Sequence, residues 1–100
     1  MVTPIITPID NNILKINLTT NANIKFNLNN LSTDHCINFE VWLIMPSTLV
    51  SFNFVGDIYW NIDNKFILNN TPTFNEANTT YVINFRYDGS KLLANLAYTI

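Results

Sequence analysis

One hundred residues bound the chain to one domain, able to bury about 60 to 70% of the surface its unfolded form exposes. Hydrophobic residues make up 48% and aromatics 13%, which excludes disorder, while charged residues are only 12% against a usual value of about 25%. The net charge of -2, with Lys15, Lys25, Lys65, Arg86 and Lys91 scattered, argues against a nucleic-acid partner, because phosphate binding needs clustered cations. What remains is an outer surface of neutral amides and hydroxyls, suited to packing against other subunits or to hydrogen-bonding neutral ligands such as sugars.

Residues 1–12 contain Pro4 and Pro8, which fix φ and remove donors, so the segment reads as an extended, poorly paired arm or an edge strand. Residues 13–100 form the domain. Leu14, Ile16 and Leu18 alternate with Lys15 and Asn17, and Ile24, Phe26 and Leu28 with Lys25 and Asn27, which predicts a hairpin joined through Thr19-Thr20-Asn21-Ala22. Asn29 to Asp34 is a polar loop. Ile37, Phe39, Val41, Leu43 and Met45 follow as the longest alternating run, and the opposite face carries Asn38, Glu40, Trp42 and Ile44. Because Trp42 and Ile44 are themselves apolar, this strand is expected to be covered on both sides, as a central strand or one beneath a neighbouring subunit would be.

Pro46-Ser47 ends that run, Leu49 to Phe54 reads as the next strand, and Gly56-Asp57 allows a bend before Ile58-Tyr59-Trp60. Asn61 to Asn64 is turn-rich, Lys65 to Leu68 is a short apolar run, and Phe74 is expected to anchor the irregular loop around Pro72. Tyr81, Ile83, Phe85 and Tyr87 then alternate up to Asp88-Gly89, and Leu92, Ala94, Leu96 and Tyr98 resume the pattern, which predicts a β-hairpin. No segment holds a helical period. Seven or eight short strands at regular spacing predict an all-β fold, an antiparallel β-sandwich of immunoglobulin-like or jelly-roll-like kind.

Chemistry-bearing residues are sparse. The lone Cys36 permits no disulfide within the chain and is expected to be buried. Asp34, His35, Cys36 and Glu40 are close in sequence, but consecutive strand residues point to opposite faces, so no nucleophile-base pair is expected and no enzyme is read from them. With one His there is no metal set, and the oxygens of Asp57, Asn61, Asp63 and Asn64 match no calcium loop, so no cofactor or metal is expected. The charge-free stretch between Glu40 and Asp57 is interrupted by Pro46, Ser47, Thr48, Ser51 and Asn53 and falls short of a membrane span.

From Gly56 to Ala94 the chain resembles a small β-sandwich module of bacteriophage virion proteins, among them capsid decoration proteins, head fibres and tail-fibre tips. Trp60 at a strand end, Pro72 and Phe74 in the loop, Tyr81, Ile83, Phe85 and Tyr87 leading to Asp88-Gly89, and Leu93 beyond it carry the likeness. Where the family often places Gly after the Trp, this chain has Asn61-Ile62-Asp63-Asn64-Lys65. The resemblance implies a structural protein of the virion, assembled in the host cytoplasm. A chain that starts with Met and ends after one domain, without a fibre shaft, points within that group to an auxiliary protein decorating and stabilising the capsid. Its partners would be the major capsid protein or other virion subunits, with a homo-oligomer open. The expected contacts are Ile5, Ile6 and Ile9 of the arm, with Trp42 and Ile44. The alternative is a receptor- or carbohydrate-binding tip that stacks Tyr59 and Trp60 on a host glycan, although the resemblance implies a core position for Trp60.

Overall fold

The computed structural model describes residues 2–29, 31, 34 and 36–100, which form nine strands and no helix. β1 (Ile5–Ile6), β3 (Ala22–Phe26) and β5 (Phe52–Val55) build a three-stranded sheet in the order β1-β3-β5. β2 (Asn12–Asn17), β4 (Ile37–Ile44), β6 (Tyr59–Ile62), β7 (Lys65–Leu68), β8 (Thr80–Tyr87) and β9 (Leu92–Thr99) build a six-stranded sheet in the order β2-β4-β8-β9-β6-β7. Up to β6 each successive strand therefore changes sheet.

That alternation corrects the expected hairpin between Ile13 and Leu28. β2 and β3 lie in different sheets: β2 runs parallel to β4, and β3 runs parallel to β1 and β5. Both segments are amphipathic, and they bury their apolar sides in the common core rather than by sharing an edge. Their connection through Thr19, Thr20 and Asn21 has no residue at positive φ, so it is not a type I′ or II′ hairpin turn. The all-antiparallel expectation is corrected with it, since β6 and β9 are also parallel. The strand expected from Leu49 is shorter and begins at Phe52. The N-terminal segment is an edge strand of the small sheet: Lys25 N–H donates to Pro4 O at 3.0 Å and Asn27 N–H to Ile6 O at 2.8 Å.

The core lies between the sheets. Phe26 of the small sheet meets Phe39 and Phe85 of the large one with ring centroids 5.9 and 4.9 Å apart, and Phe54 meets Trp60 at 5.5 Å. Ile24, Val41, Leu43 and Ile83 are fully enclosed beside them. Burying each such side chain is worth about 1.5–3 kcal/mol. Phe74 anchors its loop as expected, with its ring 4.9 Å from Tyr81 and 5.9 Å from Trp60, and the Tyr81 hydroxyl accepts the Glu76 N–H at 2.9 Å.

The C-terminal hairpin forms as β8 and β9, with Gly89 at φ 94° in the connection. Its pairing shifts between Val82 and Ile83, so that Ile83 faces Leu96 and Val82 faces Tyr98. One added residue turns Tyr98 away from the face shared by Leu92, Ala94 and Leu96. β6 and β7 form a second hairpin through Asp63 and Asn64, both at positive φ (51° and 65°), as a type I′ turn requires. Cys36 is exposed, not buried. His35 lies outside the described residues, as do Met1 of the arm and Asn30, Ser32 and Thr33 of the polar loop.

Candidate functional site

The outer face of the six-stranded sheet carries an open concavity. Strand register places Ile13 opposite Glu40, Glu40 opposite Asn84, and Asn84 opposite Asn95. The Asn61 amide donates from Nδ2 to Asn95 Oδ1 at 3.1 Å, and Asn61 pairs with Phe66. One polar row thus runs across all six strands, with an apolar side chain at each end. Neighbouring strands lie about 4.8 Å apart, so the row presents one side chain per strand at that interval. Asn38, Arg86 and Leu93 form the next row, where Arg86 Nε donates to Asn38 Oδ1 at 2.9 Å. Together these residues line an open groove of about 620 Å³, within the range of small-molecule sites.

On the other flank Lys15 lies opposite Trp42, Trp42 opposite Val82, and Val82 opposite Tyr98. Trp42 Nε1 donates to a Glu40 carboxylate oxygen at 2.6 Å, and Lys15 Nζ stands 5.0 Å from the indole centroid, a contact worth about 0.5–1 kcal/mol at an exposed site. The indole is thereby held from two sides, and Glu40 is fixed in the polar row. Val82 is enclosed although it lies on this outer face, beside the half-buried Trp42.

Within the row the amides are unequally satisfied. Asn61 Oδ1 is enclosed and meets no donor among the described residues, and a buried acceptor left so costs about 1–3 kcal/mol. Trp60 Nε1 is in the same condition, deep in the core. Asn84 is exposed and makes no side-chain hydrogen bond among the described residues.

The expected contact residues do not form one surface. Ile5 (63% exposed) and Ile9 (59%) face outward, while Ile6, between them, enters the core. Ile5 belongs to the small sheet, and Trp42 and Ile44, half-buried, belong to the outer face of the large one. Tyr59 is half-buried with Lys91 Nζ 5.5 Å from its ring centroid, whereas Trp60 is 1% exposed among Phe54, Phe74 and Phe85. The asparagine row escaped the sequence reading. Its members are merely the polar half of alternating strands, and only the register brings them together.

Chemically the groove offers paired donors and acceptors, one carboxylate and one guanidinium. Among the described residues no group of three or more His, Cys, Asp or Glu side chains could hold a metal ion. Of Asp57 and Asp63, expected only as turn residues, Asp63 lies in the β6–β7 turn and Asp57 in the connection from β5 to β6. Asp57 Oδ1 accepts from Asn69 Nδ2 at 3.0 Å, and Asn69 at φ 55° also accepts the Ile58 N–H at 3.0 Å. The perturbed acid is Asp88 in the hairpin connection, where backbone N–H groups of Lys91 and then Ser90 hold its carboxyl below the usual value of 3.8. Comparisons with protein-family models, with curated proteins and with solved structures gave no match.

Proposed function

We propose that the chain is a structural component of a bacteriophage virion, an auxiliary protein that attaches to the capsid and stabilises it through surface contacts. The reading takes the two facing sheets as a β-sandwich, although the parallel first half departs from the all-antiparallel pairing of immunoglobulin-like and jelly-roll sandwiches. The supporting observation is β7. It is the edge of the large sheet, and Phe66, Ile67 and Leu68 are 44, 38 and 46% exposed on its two faces. Soluble domains usually shield such an edge with charges, a bulge or a covering loop, so an uncovered apolar edge suits a strand that acquires cover from a neighbouring subunit.

Stabilisation then follows by mass action, since a protein that binds the assembled shell and not free subunits shifts the balance toward assembly. Density-gradient purification of particles from an infected culture tests the reading. The chain is expected to band with the major capsid protein in a fixed ratio, and Ile67→Lys to abolish co-banding while the variant stays folded. Recovery of the wild-type chain only in the soluble fraction overturns it. A second reading, recognition of a neutral glycan, is favoured by a separate observation, the asparagine row of the large sheet.

A further inference from the structure

We propose that the groove on the outer face of the six-stranded sheet binds a neutral oligosaccharide along the row Glu40, Asn84, Asn95 and Asn61, with Phe66 as the stacking platform at its end. This deepens the glycan reading and is independent of capsid attachment. Each carboxamide offers a donor and an acceptor side by side, and each sugar hydroxyl both donates and accepts, so the amides match neighbouring hydroxyls of a pyranose ring. The strand interval of about 4.8 Å brings the next amide into reach at roughly the width of one ring. Phe66 supplies an exposed aromatic face, and Leu93 further apolar surface, for the C–H side of a sugar.

Charge narrows the ligand class. Glu40 and Arg86 are the charged side chains lining the groove, one of each sign. A phosphate or an acidic sugar would meet the Glu40 carboxylate, whereas a neutral ligand can accept from Arg86 and donate to Glu40 at once. An extended peptide is disfavoured for a different reason. The row lies on a sheet face, where the backbone groups of β4, β8 and β9 are already committed to their ladders.

A purely structural amide ladder would bond its members to one another. Here only Asn61 and Asn95 are joined, Asn84 is unbonded among the described residues, and Asn61 Oδ1 lacks a donor at the groove floor. Phe66, its edge-strand partner, stands exposed beside it. The Trp60 ring plays no part, being enclosed in the core.

Titration of the ¹⁵N-labelled full chain with maltotriose, cellotriose and N-acetylated chitotriose, followed by amide chemical shifts, is the test. At least one of these is expected to give saturable shifts centred on Glu40, Asn61, Asn84 and Asn95. Asn84→Ala and Phe66→Ala, both at exposed positions, are each expected to weaken binding by about tenfold or more, while Asn53→Ala on the small sheet leaves it unchanged. Thermal unfolding of each variant confirms that its fold is retained. Saturable shifts confined to another face would overturn the groove assignment while leaving a glycan function intact. Absence of shifts for all three sugars at about 10 mM would overturn both.

Discussion

From Ile5 to Val55 successive strands change sheet, and every strand pair formed within that half is parallel; from Tyr59 to Thr99 the chain stays in one sheet and closes two hairpins. The side chains that hold the connections differ in the same sense. In the first half Asp10 accepts the N–H of Asn38, 28 residues away, and Asn21 that of Ser51, 30 residues away. In the second half Asp88 accepts from Ser90 and Lys91, two and three residues on. Similar alternating strands can thus be set by distant partners or by their own turns. Register in the first half is a tertiary property, and in the second it is nearly local.

Phe85 is where the halves meet, and its removal is expected to have the largest effect. Its ring packs on Phe26 at 4.9 Å and Phe39 at 5.2 Å from the first half, and on Trp60 at 6.2 Å from the second. Phe85→Ala is expected to cost about 3–5 kcal/mol in denaturant unfolding, a large share of a stability that for such domains is about 5–15 kcal/mol. A loss under about 1 kcal/mol would mean that each half holds itself together without the contact.

Gly56 stands on the border, between the last strand of the small sheet and the first hairpin. It sits at φ 95° with nothing within 4 Å of the place a Cβ would occupy, so a side chain there meets strain in the backbone and not a clash. Gly56→Ala is expected to cost about 1–2 kcal/mol, and Gly56→Asn less, because asparagine tolerates the left-handed region. This chain uses it so at Asn11, Asn64, Asn69 and Asn78. Equal losses in the two variants, measured by thermal unfolding, would contradict a conformational cause.

The contrast also explains what was legible in the sequence. The Tyr81–Tyr98 hairpin was readable because Asp88-Gly89 announces its turn. The pairing of β2 with β4 was not, since nothing in Leu14, Ile16 or Leu18 distinguishes a hairpin partner from a strand across the core. The segment around Ile5 and Ile6 reads as an arm or an edge strand, and without a pairing partner in the sequence its alternation, Ile5 outside and Ile6 inside, has no reference face. The groove depended on register throughout. Asn38 and Glu40 could be set on the open face of β4, but their neighbours on β8, and Asn95 and Asn61 beyond, follow only from the order β4-β8-β9-β6. Asn abundance hinted at amide surface without saying where it converges.

If local turns set the second half first, the matched pair Ile24→Val and Ile83→Val should separate the halves kinetically. Both side chains are fully enclosed, and each truncation is expected to cost about 0.5–1.5 kcal/mol at equilibrium. In stopped-flow folding Ile83→Val should slow refolding, because the hairpin is formed in the transition state, whereas Ile24→Val should chiefly speed unfolding. The reverse assignment would show that the parallel coils organise the nucleus, against the entropy cost of closing their long loops.

Asp88 gives the smallest expected effect and the most local one. Its carboxyl titrates below 3.8 in the folded chain because the ionised form accepts the Lys91 and Ser90 N–H groups. A group whose folded value is depressed adds stability that is present above its unfolded value, about 3.9, and is lost as pH falls through the folded value. The wild-type chain should therefore lose part of its stability below about pH 4, and Asp88→Asn, which keeps an acceptor but not the charge, should show a shallower loss over that window. The carboxylate is solvent-exposed and screened by salt, so thermal unfolding at matched ionic strength is the suitable measurement. Its location decides more than its size. If the turn acts only on its own hairpin, Asp88→Asn should raise amide exchange in β8 and β9 while leaving β1, β3 and β5 unaltered. Faster exchange throughout the small sheet would show that the local half and the tertiary half are held by one register after all.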